Sequence, residues 1–118
     1  MRTRTNLEAD ANCVIIFTWL RFRAIYPQLP RKPPKVIIKS YLREDMAYAL
    51  IRQNTIKISE KFFASNFELF CNEIIPHEVA HCVAFKIYGD VAHGKKWRKC
   101  MKQINLQPLQ FYNCIYPE

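Results

Sequence analysis

One short run, His77-Glu78-Val79-Ala80-His81, constrains this chain more than any other stretch. It reads H-E-x-x-H. On a helix, residues four apart stand one turn above the other on one face, so both imidazoles aim at one point, as a tetrahedral zinc ion requires. Glu78 lies beside them, is not needed as a ligand, and can take a proton from a water activated there. The run predicts a zinc peptidase core with His77 and His81 as ligands and Glu78 as the catalytic residue. It also demands a third ligand and a cleft.

A catalytic zinc takes three protein ligands and keeps one position open. After His81 the only glutamate is Glu118, at the end of the chain, which disfavours a ligand Glu from a second downstream helix. The metzincin continuation needs Gly and His where Ala84 and Ile87 stand. Asp90, His93 and the cysteines remain, and Cys82 and Cys100 fall at apolar helix positions that read as core. His93 is the best-placed third ligand: Gly89 breaks the helix, a short loop lets the chain turn back, and Gly94 permits a close approach. Asp90 is the second candidate, with capping of the loop as its ordinary role. Trp97 and Met101 follow at helical spacing and read as packing that fixes the His93 loop against the motif helix. Tyr41, Tyr88 and Tyr112 are the candidates for stabilising an oxyanion.

The rest of the pattern predicts an α+β fold of the minimal zincin type, three to four helices packed on a small three-stranded sheet. A first helix over 7–24 has Asn6 as its cap. Val14, Phe17 and the pair Leu20/Arg21 continue a stripe from Leu7 and Ala11, and Ile15, Trp19 and Phe22 form a second apolar edge, so the helix should be largely covered. Pro27, Pro30, Pro33 and Pro34 make the next stretch an extended crossover. A strand over 35–41 follows, then a polar turn at 43–45. A hairpin of 46–51 and 55–59 folds around Arg52-Gln53-Asn54, with Ile56 and Ile58 facing one way and Lys57 the other. Asn66 should cap the motif helix, which Pro76 kinks or restarts. A last helix over 95–105 turns Trp97, Met101 and Ile104 inward and Lys96, Arg98, Lys99 and Lys102 outward. The stretch 109–118 has no defined structure.

Composition limits the function classes. With 118 residues, half of them hydrophobic, the chain reads as a single domain over 1–118. The apolar run 13–20 is too short to span a bilayer, and the charges around it do not make a signal peptide. The five cysteines include no C-x-x-C pair, so no zinc ribbon or redox motif is visible, and reduced, largely buried thiols are expected. A cytoplasmic setting, or one beside DNA in a nucleus or nucleoid, follows as the expectation, with no membrane partner. The net charge of +8, spread along the chain, favours acidic partners, nucleic acid among them.

The segments Ile75-Pro76-His77-Glu78-Val79-Ala80-His81, Phe85-Lys86-Ile87-Tyr88-Gly89 and His93-Gly94-Lys95-Lys96-Trp97 together resemble the SprT-like family, whose members share a P-H-E-h-x-H core and an H-G-x-x-W/F element. Upstream, Tyr26-Pro27 and Thr55-Ile56-Lys57-Ile58-Ser59 match more weakly. The resemblance implies zinc held by His77, His81 and His93, with Glu78 as acid and base. For Spartan-type members it implies cleavage of proteins crosslinked to DNA, with DNA binding as the trigger. The chain departs from many members in having one cysteine, Cys114, where a C-terminal zinc ribbon would begin, so a four-cysteine ribbon is not expected within it. The competing reading is a basic DNA- or protein-binding module whose zinc is structural or whose site is degenerate; Cys82, Cys100 or Cys114 would then close the metal shell.

Overall fold

Thr3, rather than the expected Asn6, caps the first helix: its Oγ1 accepts the Asn6 N–H at 3.1 Å, and α1 runs Arg4–Ile25. The computed structural model describes residues 2–40 and 46–117. α1 buries Leu7, Ala11, Ile15, Thr18, Trp19 and Phe22. The stripe expected through Phe17 and Leu20 is instead turned to solvent, 64 % and 55 % exposed. The buried residues Leu7, Ala11, Ile15, Trp19 and Phe22 recur every three or four positions, so the inner face joins the start of the expected stripe to its second apolar edge. The Trp19 indole N–H donates to the Pro30 carbonyl at 2.8 Å, and Arg23 Nε donates to the Leu29 carbonyl at 3.2 Å. These fold the proline-rich connector back along α1, so it is less extended than its composition predicts.

The sheet comprises β1 (Lys35–Lys39), β2 (Ala47–Leu50) and β3 (Thr55–Ser59), in the order β1-β3-β2. β3 lies between the others, parallel to β1 with Val36 opposite Ile56, and antiparallel to β2 with Ala49 opposite Ile56. Its central place explains why Ile56 and Ile58 are fully buried while Lys57, on the other face, is only partly covered. The expected hairpin forms through a 3-10 turn (Ile51–Gln53) and Asn54 in the left-handed region at φ 49°. β1 stops at Lys39, short of the expected residue 41; Tyr41 and the polar turn at 43–45 lie outside the described residues.

Ser59 caps α2 (Glu60–Ser65) by accepting the Phe62 N–H at 3.4 Å. Asn66 does not cap the motif helix with its side chain. Its Nδ2 donates to the Phe62 and Ile115 carbonyls at 3.0 and 2.9 Å, and its Oδ1 accepts the Ile115 N–H at 2.7 Å. A continuous helical run follows: α3 (Phe67–Leu69), a π-helical turn (Phe70–Ile74) and α4 (Ile75–Tyr88). Pro76 has no N–H to give, and in a regular α-helix its ring meets the carbonyl four residues back. The wider turn, in which the Ile75 N–H reaches the Phe70 carbonyl, places Pro76 in the first turn of α4. Gly89, at φ 73°, ends α4, and α5 (Lys95–Gln103) follows after a short loop.

α4 is the central element, packed against α1, α5 and β2. Ile75, Val79, Ala80, Cys82, Val83 and Ala84 are fully buried, so α4 is covered more completely than a helix with one apolar face. Trp97, Cys100, Met101 and Ile104 seal it from the α5 side, while Lys95, Lys96, Arg98, Lys99 and Lys102 stay exposed. The fold is α+β, helices on a three-stranded mixed sheet, as the sequence predicts. Among the described residues no helix is long and apolar enough to cross a membrane.

Candidate metal centre

α4 carries His77 and His81 one turn apart, and the loop before α5 returns His93 to them. The His93 Nε2 lies 3.2 Å from His81 Nε2 and 3.4 Å from His77 Nε2. These three histidines are the metal-capable cluster among the described residues, each offering one atom within 4.8 Å of the others. Four-coordinate metal–nitrogen bonds of about 2.0–2.1 Å set neighbouring nitrogens about 3.3–3.4 Å apart. The observed spacings fit that geometry. Burial, then the neighbouring rings, lowers the His77 pKa to about 3, and burial, then His93, lowers that of His81 to about 4. Burial also lowers that of His93. All three rings are therefore neutral at ordinary pH, and each can offer one nitrogen lone pair to a cation at their centre.

Glu78 is 8 % exposed, and its Oε2 lies 3.8 Å from His77 Nε2. It opens on a cleft of about 670 Å³. The motif, β2 with Tyr48, the His93 loop and the chain at Phe111 and Tyr112 line it.

Trp97 sits under all three histidines. Its indole stacks on His81 at 5.0 Å and 14°, and meets His77 and His93 edge-on at 4.8 and 4.6 Å. The indole N–H also donates to the His77 carbonyl at 3.4 Å. Asp90, the second candidate ligand, does other work. Its Oδ1 accepts the Ala92 N–H at 3.0 Å and its Oδ2 accepts the Trp97 N–H at 3.1 Å, so it ties the loop to the first turn of α5. The Ala92 bond is the main reason its carboxyl stays below the usual range.

The tyrosines divide. Tyr88 lies away from the cleft, its hydroxyl 2.9 Å from that of Tyr26 and accepting from Lys99 Nζ at 3.3 Å. Tyr112 does reach the cleft, but its hydroxyl lies 3.2 Å from His77 Nδ1, behind the ring. Burial raises the pKa of Tyr112, which keeps the phenol neutral. All five cysteines are free thiols; Cys82 and Cys100 are buried, and none joins the histidine cluster. The sequence does not mark Tyr48 at all, and marks Asn66 only as a cap. An aromatic on a strand beside the motif helix was the available sign for Tyr48; nothing local points to the partners of Asn66.

The model of the SprT-like family matches residues 21–115. The chain belongs to the SprT-like family. Among curated relatives, Protein SprT of Glaesserella parasuis is 33 % identical over 68 residues, which cover 57 % of this chain and 44 % of that protein. Protein SprT of Vibrio parahaemolyticus is 40 % identical over 57 residues, 48 % of this chain and 34 % of that protein. Protein SprT of Actinobacillus succinogenes is 27 % identical over 110 residues, 79 % of this chain and 65 % of that protein. The chain thus spans about a third to two thirds of the length of these family members. No solved structure matches.

Proposed function

We propose that this chain is the catalytic unit of a zinc-dependent metallopeptidase, residues 1–118 forming one SprT-like domain, with His77, His81 and His93 as metal ligands and Glu78 as acid and base. The observation that carries the reading is the set of ring nitrogens 3.2 and 3.4 Å apart beside a buried carboxylate that lines an open cleft. Among the described residues no fourth protein ligand joins the cluster. That favours a catalytic site over a structural one, which a fourth ligand would close.

When bound, zinc supplies Lewis acidity that polarises a carbonyl and makes water nucleophilic at neutral pH. The chain's own residues do the rest. Glu78 takes the proton from the attacking water and delivers it to the leaving amine, worth roughly 10²–10⁴ in rate for such a positioned group. β2 is bonded to β3 along one edge and lines the cleft, so an extended polypeptide adds to it as a further strand, held by main-chain bonds. Substrates are proteins, and we place them in association with DNA, including proteins crosslinked to it. The exposed Lys95, Arg98, Lys99 and Lys102 line a shallow basic groove on α5, two residues after His93, where a phosphate backbone fits.

Metal analysis combined with cleavage of a basic protein, with and without single- and double-stranded DNA, tests the proposal. One zinc per chain, DNA-stimulated cleavage, and a Glu78→Gln variant that keeps its zinc but loses cleavage are expected. Retained zinc with no cleavage under any condition returns the chain to the class of binding modules. Equal cleavage by Glu78→Gln overturns the mechanism.

A further inference from the structure

The stretch 109–116 has no regular secondary structure, yet it is fastened at two points. At one, the Asn66 side chain holds both the N–H and the carbonyl of Ile115, at 2.7 and 2.9 Å. Asn66 is itself 9 % exposed, and Tyr116 packs edge-on against Phe62 beside it. At the other, the stretch meets His77. The Tyr112 hydroxyl lies 3.2 Å from Nδ1.

Nε2 of His77 faces His93, so the ring presents one nitrogen to the cluster and the other to this strap. A histidine that offers an Nε2 lone pair to a metal carries its proton on Nδ1, and an acceptor there fixes both tautomer and ring plane. The phenol oxygen of Tyr112 is such an acceptor. It is supplied from 35 residues downstream of His77, by a segment without secondary structure of its own to hold it in place. The Asn66 clamp provides that hold.

We propose that Tyr112 is a positioning residue of the metal centre, its hydroxyl oxygen accepting the Nδ1–H of His77, and that the Asn66–Ile115 clamp keeps it there. The inference rests on the three-histidine metal reading. It makes the strap an integral part of the site.

The test is zinc competition with a chromophoric chelator on the full chain, together with nitrogen NMR of the metal-free protein to read the His77 tautomer. Tyr112→Phe keeps the ring and removes only the hydroxyl. It should weaken zinc binding by about 10–100-fold and shift His77 from a single Nδ1–H form to a mixture. Tyr116→Phe, on the same strap, should leave both readouts unchanged. Asn66→Ala should weaken zinc binding in the same direction, and its effect should not add to that of Tyr112→Phe. Wild-type chain that binds no zinc overturns the metal reading itself. Wild-type chain that binds zinc alongside Tyr112→Phe of affinity within twofold overturns the positioning role alone. If Tyr112→Phe does not fold, unchanged affinity in Asn66→Ala overturns it equally.

Discussion

The Asp90 carboxylate reaches across Gly94 to accept the main-chain N–H of Trp97 at 3.1 Å. A Cβ at residue 94 would lie 2.7 Å from Asp90 Oδ2, so the glycine makes the reach possible. The loop that carries His93 is thereby tied to the helix that carries Trp97. Asp90→Ala should cost about 0.5–2 kcal/mol, the usual loss for a helix N-terminal cap, read from the urea midpoint of the metal-free protein. Zinc affinity should fall with it. Gly94→Ala should move both quantities in the same direction, and unchanged midpoints in both variants would contradict this role.

Trp97 joins the fold to the site. Trp97→Ala should destabilise the protein by about 3–5 kcal/mol, the range for emptying a large aromatic from a core. Trp97→Phe keeps most of the volume and loses the N–H to the His77 carbonyl, so its cost should be much smaller. Thermal unfolding of both variants checks the order.

His93→Ala should leave the fold standing, because the side chain is only half-buried on a loop. With two ligands left, bound zinc should drop well below one per chain after dialysis. Full zinc content in this variant would mean that the third ligand lies elsewhere.

Acid should unfold the metal-free protein earlier than its carboxylates alone require. Folded His77 and His81 titrate near 3 and 4, against about 6.5 in the unfolded chain. Between these values the unfolded state binds more protons, so stability is complete above pH 6.5 and falls as pH drops towards 4. The window from pH 6.5 to 5 lies above most carboxylate titration. Urea midpoints there should decline in wild type and decline less in a His77→Gln/His81→Gln variant, which keeps only the contribution of His93.

If α5 meets DNA, reversing its charge should matter beyond a uniform loss of affinity. Lys95→Glu, Lys99→Glu and Lys102→Glu together should weaken binding and flatten its salt dependence, the slope falling by about 0.9 for each phosphate no longer neutralised. An unchanged slope would place the nucleic acid on another face.

Much of this was legible because the informative signals are local. H-E-x-x-H fixes its own geometry once helical, and Gly89, the short loop and Gly94 bring His93 back within a dozen residues. The β3 alternation of Ile56, Lys57 and Ile58 likewise reads directly. The misreadings are non-local. The course of the connector depends on Trp19 and Arg23 binding its carbonyls, which no periodicity encodes. Asn66 looks like a cap until Ile115, 49 residues away, supplies its partners. Tyr112 reads as one of three candidate oxyanion donors until the fold sets its hydroxyl behind His77, at Nδ1.

The π-helical turn at Phe70–Ile74 also sets a rotational phase. An α-helix advances about 100° per residue, so an unbroken one would bring residue 77 back almost onto the line of residue 70. Phe70 is fully buried in the core. The one extra residue taken up by the wider turn offsets everything after it by roughly a quarter turn, so the same helical run keeps Phe70 inside and delivers His77 and His81 to the cleft. The aim of the histidines is thus dialled in before the motif begins, and removing a single residue from 70–74 would swing the imidazoles away from His93 without altering the motif itself.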